Sequence, residues 1–219
     1  MKKLLKLAMA AILVIALAGC GTNGQDASGA QGSGADASGS QDNGNVTEGQ
    51  SIDPSGMHHV EITVKDYGTI SVELNGDVAP ITVENFLKLS GDGFYDGLTF
   101  HRIISGFMIQ GGDPLGNGTG GSDQDIKGEF SANGVENSLS HTRGAISMAR
   151  SQLMDSASSQ FFIVHEDSTY LDGQYACFGY VTEGMEVVDA ICEATPVTDR
   201  NGTVTAENQP VIESIKVID

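Results

Sequence analysis

Apolar and polar residues alternate from His58 to Val64 and again from Thr69 to Leu74, with Asp66-Tyr67-Gly68 between the two runs. A period of two turns one face of each run toward a core, so the pair predicts a β-hairpin closed by that turn. The period then lengthens. Val83, Phe86 and Leu87 recur at helical spacing between Pro80 and Ser90, with Gly91 as the stop. Met185, Val188 and Ile191 mark the buried side of a second helix over Met185–Ala194. Short strand-like runs follow one another at Leu98–Ile104, Phe107–Gly111, Gly144–Ala149, Gln160–His165, Ala176–Val181 and Val211–Ile218. About eight short strands separated by glycines, with only two helices, predict a mainly β fold, a closed eight-stranded antiparallel barrel capped by two α-helices. A sandwich would carry a similar pattern.

The N-terminal segment follows neither period. A basic start, Met1–Lys6, leads into an unbroken apolar run from Leu7 to Gly19. Thirteen residues fall short of the about 20 that a helix needs to cross a bilayer, but they suit the core of a secretory signal. The run ends Leu17-Ala18-Gly19-Cys20, which resembles a bacterial lipoprotein signal. That resemblance implies cleavage after residue 19 and a lipid on the Cys20 sulfur, holding the protein at a membrane outside the cytoplasm. Residues 21–56 are rich in Gly, Ser, Gln, Asn and Asp and contain no aromatic residue and no Lys or Arg. Such a stretch buries too little apolar surface to offset its ordering entropy, so it is expected to be a disordered tether. As a Gly-rich coil its r.m.s. reach is roughly 30–36 Å. The chain thus divides into a signal at 1–19, a lipidated cysteine and tether at 20–56, and a working domain at 57–219.

Charge narrows the function. Lys and Arg number 11 against 29 Asp and Glu, a formal net charge of −18. Such an acidic chain repels phosphate backbones, and nucleic acid is not an expected partner. Cys177 and Cys192 read as two independent thiols, although an oxidising compartment would permit a bridge. Gly116–Gly121 matches G-x-G-x-x-G, but Asp113-Pro114 stands where a strand should end and no apolar helical face follows. The dinucleotide reading needs that strand–turn–helix context. His165-Glu166 is followed by Thr169, so no H-E-x-x-H zinc motif forms, and no G-x-S-x-G elbow is present. His58-His59 reads as a solvated pair.

The most informative segment is Phe100-His101-Arg102-Ile103-Ile104-Ser105-Gly106-Phe107-Met108-Ile109-Gln110-Gly111-Gly112-Asp113. It sets Arg102 among aromatic and aliphatic residues with no neighbouring acid. Strand alternation would send His101 and Ile103 to one face and Arg102 and Ile104 to the other; contact of His101 with substrate is one reading, and a histidine satisfied by backbone partners is the preferred one. With Asn117–Gly121, Gly144–Ala149, Ser159–Ile163 and Leu171–Gly179, this segment makes the chain resemble a cyclophilin, a peptidyl-prolyl cis-trans isomerase, over essentially all of 58–219.

The resemblance implies the barrel already expected from the pattern, an action on proline-containing polypeptides, a monomer, and no metal or cofactor. It assigns catalysis to Arg102 and a hydrophobic proline pocket to Phe107, Met108, Phe162 and Leu171, with Tyr175 at the rim. Gln110 would hold both the guanidinium and the substrate carbonyl, while Gln160 and the backbone of Arg150 align the peptide. Tyr170 stands where many relatives carry Trp, and Tyr175 where many carry His. A non-catalytic holdase for proline peptides, or a scaffold lipoprotein, is the alternative.

Overall fold

The computed structural model describes residues 53–219; Cys20, the signal and most of the tether lie outside the described residues. The chain enters the fold at Asp53–Gly56, where the Gly56 N–H reaches the Asp77 carboxylate and the Gly56 carbonyl receives the Gly76 N–H. Strands β1 (Met57–Val64) and β2 (Gly68–Asn75) form the expected hairpin. Helix α1 follows at Pro80–Gly91. Its Ala79 offers no side-chain cap, and the buried Glu129 carboxylate instead accepts from the N–H groups of Ile81 and Thr82 at 3.1 and 2.8 Å. An anion there also complements the helix dipole. Gly91 still belongs to the helix; the left-handed turn that ends it falls at Gly93.

Strands β3 (Phe100–Ile104), β4 (Met108–Gly111), β5 (Ala145–Met148), β6 (Phe161–Val164) and β7 (Cys177–Glu183) come next, then α2 (Met185–Ala194) and β8 (Ile212–Val217). On α2 the buried positions are Val187, Val188 and Ile191, with Met185 only half-buried. The eight strands form one antiparallel sheet in the order β3-β4-β6-β5-β7-β2-β1-β8.

The barrel is not closed as expected. No ladder joins β3 to β8, and the two edges meet through isolated bridges at Thr99–Val211 and Arg102–Thr203. The reason lies in residues 199–211. Pro210 has no N–H to give a ladder, and the turn at Gly202 (φ +79°) brings irregular backbone onto β3. A Cβ on Gly202 would stand 2.3 Å from the Ile103 carbonyl oxygen. The result is a half-barrel with a seam.

The main core fills one face of the sheet and packs α1 and α2 against it. Phe86 sits at its centre, with the rings of Tyr95, Phe161 and Phe178 5.2–5.4 Å away. Period-two alternation along β6 sends Phe161 and Ile163 into this core and Phe162 and Val164 into a second, smaller cluster with Met108 and Leu171. Cys177 is buried and Cys192 half-buried, and both are free thiols. His58 is tied to Asp219 at 2.7 Å rather than simply solvated.

Candidate active site

The site forms where β3 and β4 pair. Phe100 lies opposite Gly111 and Arg102 opposite Gln110, so His101 is an extra residue on β3, a β-bulge. This overturns the expected alternation: Phe100 and Ile103 both enter the main core, while His101 and Arg102 both face the same surface depression.

Arg102 is only 7% exposed and forms no ion pair among the described residues. Its Nε–H donates to the Asn201 carbonyl at 2.8 Å, Nη1 to Gln110 Oε1 at 3.1 Å and Nη2 to Asn201 Oδ1 at 3.3 Å. A guanidinium has five N–H donors. Of the remaining two, one on Nη1 meets only the Met108 sulfur at 4.0 Å. Burial lowers its pKa, with Asp199 among the groups that oppose the shift; a guanidinium nonetheless keeps its proton in proteins. The amide chain continues from Gln110 Nε2 to Gln160 Oε1 at 2.9 Å and from Gln160 Nε2 to the Gly120 carbonyl at 2.7 Å.

Arg102 and Gln110 border a narrow hollow of about 40 Å³ lined by Phe107, Met108, Ala149, Phe162, Tyr170, Leu171 and Tyr175. Phe162 is held from behind by His141, whose ring stacks on it at 6.0 Å and 17°. His141 is fully buried and bonded to Asp172 at 2.8 Å and to Ser147 Oγ at 3.0 Å. Burial lowers the His141 pKa and outweighs the opposing pull of Asp172. That hub ties β5, β6 and the turn carrying Tyr170 and Leu171 into one wall. Tyr170 is 62% exposed and covers Phe107 with ring centroids 6.0 Å apart.

Arg150 and Gln160 stand outside the hollow's lining. Arg150 braces its rim instead: the guanidinium carbon lies 4.8 Å from the Tyr175 ring and 5.0 Å from that of Phe130, and Nε donates to the Gln174 carbonyl. Sequence reading missed Ala149, although it closes a quoted motif, and Asn201, which had no signal beyond the Asn-Gly turn at 201–202. It also misjudged His101. The ring is 5% exposed, yet neither nitrogen has a hydrogen-bond partner.

On the other side of Arg102 and Gln110 opens a wider basin of about 520 Å³. His101, Leu115, Asn117, Gly118, Asn201, Val204 and Gln209 are among its lining residues. The loop at 113–120 is folded around Asp113, whose carboxylate accepts the N–H groups of Leu115, Asn117 and Gly118 at 2.6–3.0 Å. This is internal bracing, in agreement with setting the dinucleotide motif aside. Among the described residues, no Asp or Glu lines either cavity.

A buried cation between an apolar hollow and an acid-free basin, on a half-barrel of this strand order, defines a narrow class of protein, and the sequence comparison names it. The family model "Cyclophilin type peptidyl-prolyl cis-trans isomerase/CLD" matches residues 59–217, and the chain belongs to that family. It is 50% identical over 123 residues to peptidyl-prolyl cis-trans isomerase B of Bacillus subtilis, covering 56% of this chain and 82% of that one. It is 41% identical over 173 residues to peptidyl-prolyl cis-trans isomerase A of Dickeya dadantii, covering 73% and 84%. Among solved structures it is similar to a Cryptosporidium parvum cyclophilin type isomerase crystallised in the presence of the dipeptide Ala-Pro. That match has a TM-score of 0.65 and 32% identity over 74% of this chain and 99% of that one.

Proposed function

We propose that this protein isomerises X-Pro bonds of extracytoplasmic polypeptides while tethered to a membrane through a lipid on Cys20. The observation that carries the catalytic part is the Arg102 guanidinium, buried beside an apolar hollow with no carboxylate partner among the described residues.

Rotation about an X-Pro bond meets a barrier of about 18–20 kcal/mol because amide resonance holds it planar. Resonance places positive charge on nitrogen and negative charge on oxygen. Twisting the bond abolishes that separation and returns a lone pair to the prolyl nitrogen. A hollow walled by Phe107, Met108, Phe162 and Leu171 solvates the charge-separated planar amide poorly and so favours the twisted form. Arg102 retains donor capacity after binding Gln110 and Asn201. It can donate to the nitrogen only once the lone pair exists, which is preferential binding of the transition state. A net charge-assisted hydrogen bond contributes about 1.5–3 kcal/mol, roughly one to two decades of rate. The rest falls to the hollow and to alignment of the peptide by Gln110, Gln160 and the backbone of Arg150. No bond is made or broken in this reaction.

The relatives named above carry isomerase names, and the Cryptosporidium protein was crystallised with a proline dipeptide, in keeping with this reading. Its test is isomer exchange on a short Ala-Ala-Pro peptide. Turnover is expected; peptide binding without any exchange would identify a holdase. The anchor has its own test: Cys20→Ser should move the full-length protein from the membrane to the soluble fraction, and unchanged membrane association would remove Cys20 from the proposal.

A further inference from the structure

Among the walls of the proline hollow, Phe107 stands on a hairpin loop: Ser105, Gly106 and Phe107 link the paired residues Ile104 and Met108. A three-residue hairpin loop ordinarily places its left-handed residue last. Here that residue is Gly106 in the middle (φ +80°), and Phe107 comes last. Ser105 and Gly106 are exposed and Phe107 is half-buried, so burial does little to fix the loop. His165, the first residue after β6, grips it on both sides of Phe107. Its N–H donates to the Phe107 carbonyl at 2.8 Å, and its Nδ1 accepts from the Gly106 N–H, also at 2.8 Å. The first bond is backbone to backbone, open to any residue but proline; the second belongs to the imidazole. A ring nitrogen that accepts carries a lone pair, so the ring proton sits on Nε2, which faces Asp189 Oδ1 of α2 at 3.1 Å. Arg143 fixes that carboxylate, with Nη2 2.8 Å from both oxygens, and its Nη1 donates to the His165 carbonyl at 2.7 Å. The ring is thus aimed at the loop from behind.

We infer that the His165 imidazole is a positioning residue for the isomerisation, which through the Gly106 N–H sets where the Phe107 ring stands in the hollow. That ring has two neighbours at the site. Its centroid lies 6.0 Å from that of Tyr170 and 6.0 Å from the Arg102 guanidinium carbon. The hollow holds only about 40 Å³, so a small displacement of one wall changes its fit to a prolyl ring. Phe107 would touch that ring in the planar and the twisted amide alike. Its placement therefore governs binding of both states and is read in KM more than in kcat. Arg102 meanwhile keeps its own ties to Gln110 and Asn201. This assignment rests on the isomerase reading above.

The test separates the two ring nitrogens by substitution. In His165→Asn the amide oxygen takes the place of Nδ1 and can still accept from Gly106, but nothing reaches Asp189. In His165→Gln the longer side chain carries its amide past Gly106 to the place of Nε2, where it can donate to Asp189. His165→Leu removes both. Isomer exchange on the Ala-Ala-Pro peptide gives kcat and KM for each. In the Gln and Leu variants KM should rise about two- to tenfold, the worth of one neutral hydrogen bond, with kcat changed less than about twofold. The Asn variant should stay close to the unmodified protein. The opposite order, with Asn impaired and Gln normal, means that the ring acts on the fold through Asp189 and overturns the assignment. An unchanged KM in all three variants, or Asn as impaired as Leu, overturns it too. Deuterium exchange needs no variant to fold: in the unmodified protein the Gly106 amide, on an exposed turn, should exchange about two- to tenfold more slowly than an unstructured glycine amide. Unprotected exchange there overturns the proposal while leaving the isomerase intact. If the unmodified protein isomerises no peptide, the isomerase reading fails and this assignment with it.

Discussion

The hollow and the basin share Arg102 and Gln110 yet are assembled in opposite ways. The hollow stands on regular pairing: Met108 and Gln110 of β4 face Val164 and Phe162 of β6, and Ser147 of β5 faces Phe162 from the other side. The basin stands on departures from regularity, namely the His101 bulge, the loop wrapped around Asp113 and the irregular run at 199–209. One is small and apolar; the other is wide and mixes polar side chains with apolar surface from Leu115, Val204 and Ala206. The contrast teaches a division of labour. Regular ladders hold the hollow beside Arg102 in place, while loops, which tolerate more change, build the basin.

The sharpest way to break this contrast is to remove the wall itself. Phe162→Ala should lower the unfolding free energy by about 3–5 kcal/mol in denaturant titration, because the ring is buried between His141 and the second core. The same variant should lose turnover on every peptide. Next comes Arg102→Ala, expected to cut kcat/KM by about 10- to 100-fold with a midpoint of thermal unfolding near that of the unmodified protein. Arg102→Lys should not rescue it, because an ammonium lacks the fork that serves Gln110, Asn201 and substrate together.

Acidification sharpens the comparison more gently. His101 in the basin and His141 behind the hollow both have pKa values lowered by burial from the ordinary 6.5. Each is therefore neutral when folded and charged when unfolded between its lowered value and 6.5. Their contribution to stability is complete above pH 6.5 and is lost as the pH falls below it, until the folded-state values are reached. Thermal midpoints should fall over that interval, and His141→Asn should flatten part of the decline. The smallest effect belongs to Asn201→Ala. It removes the 3.3 Å side-chain bond to Arg102 but keeps the 2.8 Å bond to the backbone carbonyl, so kcat should drop only about two- to threefold.

What could be read from the sequence follows the same division. Every strand and both helices were visible in the periodicity, because each buries one face against a contiguous core. The hollow was legible only through the family resemblance, which pointed to Phe107, Met108, Phe162, Leu171 and Tyr175 but not to Ala149. Closure of the barrel was misread: Pro210 and the Gly202 turn spoil a ladder that the strand-like run at Val211–Ile218 suggested. The bulge was invisible, since Phe100, His101, Arg102 and Ile103 fit a strand in either register and only pairing with Gly111 and Gln110 reveals the extra residue. Asn201 reaches Arg102 across 99 positions of chain, with nothing in its local pattern to announce it.

The seam between β3 and β8 has a consequence for how such a protein diversifies. Because residues 199–211 complete no ladder, exchanges at exposed positions such as Ala206, Glu207 and Asn208 shift no strand register and leave the face that carries Phe162 and Met108 undisturbed, whereas Asn201 and Gly202 are tied to Arg102 and Ile103. A lineage can therefore vary one edge of the molecule, generation after generation, so long as those two positions are kept.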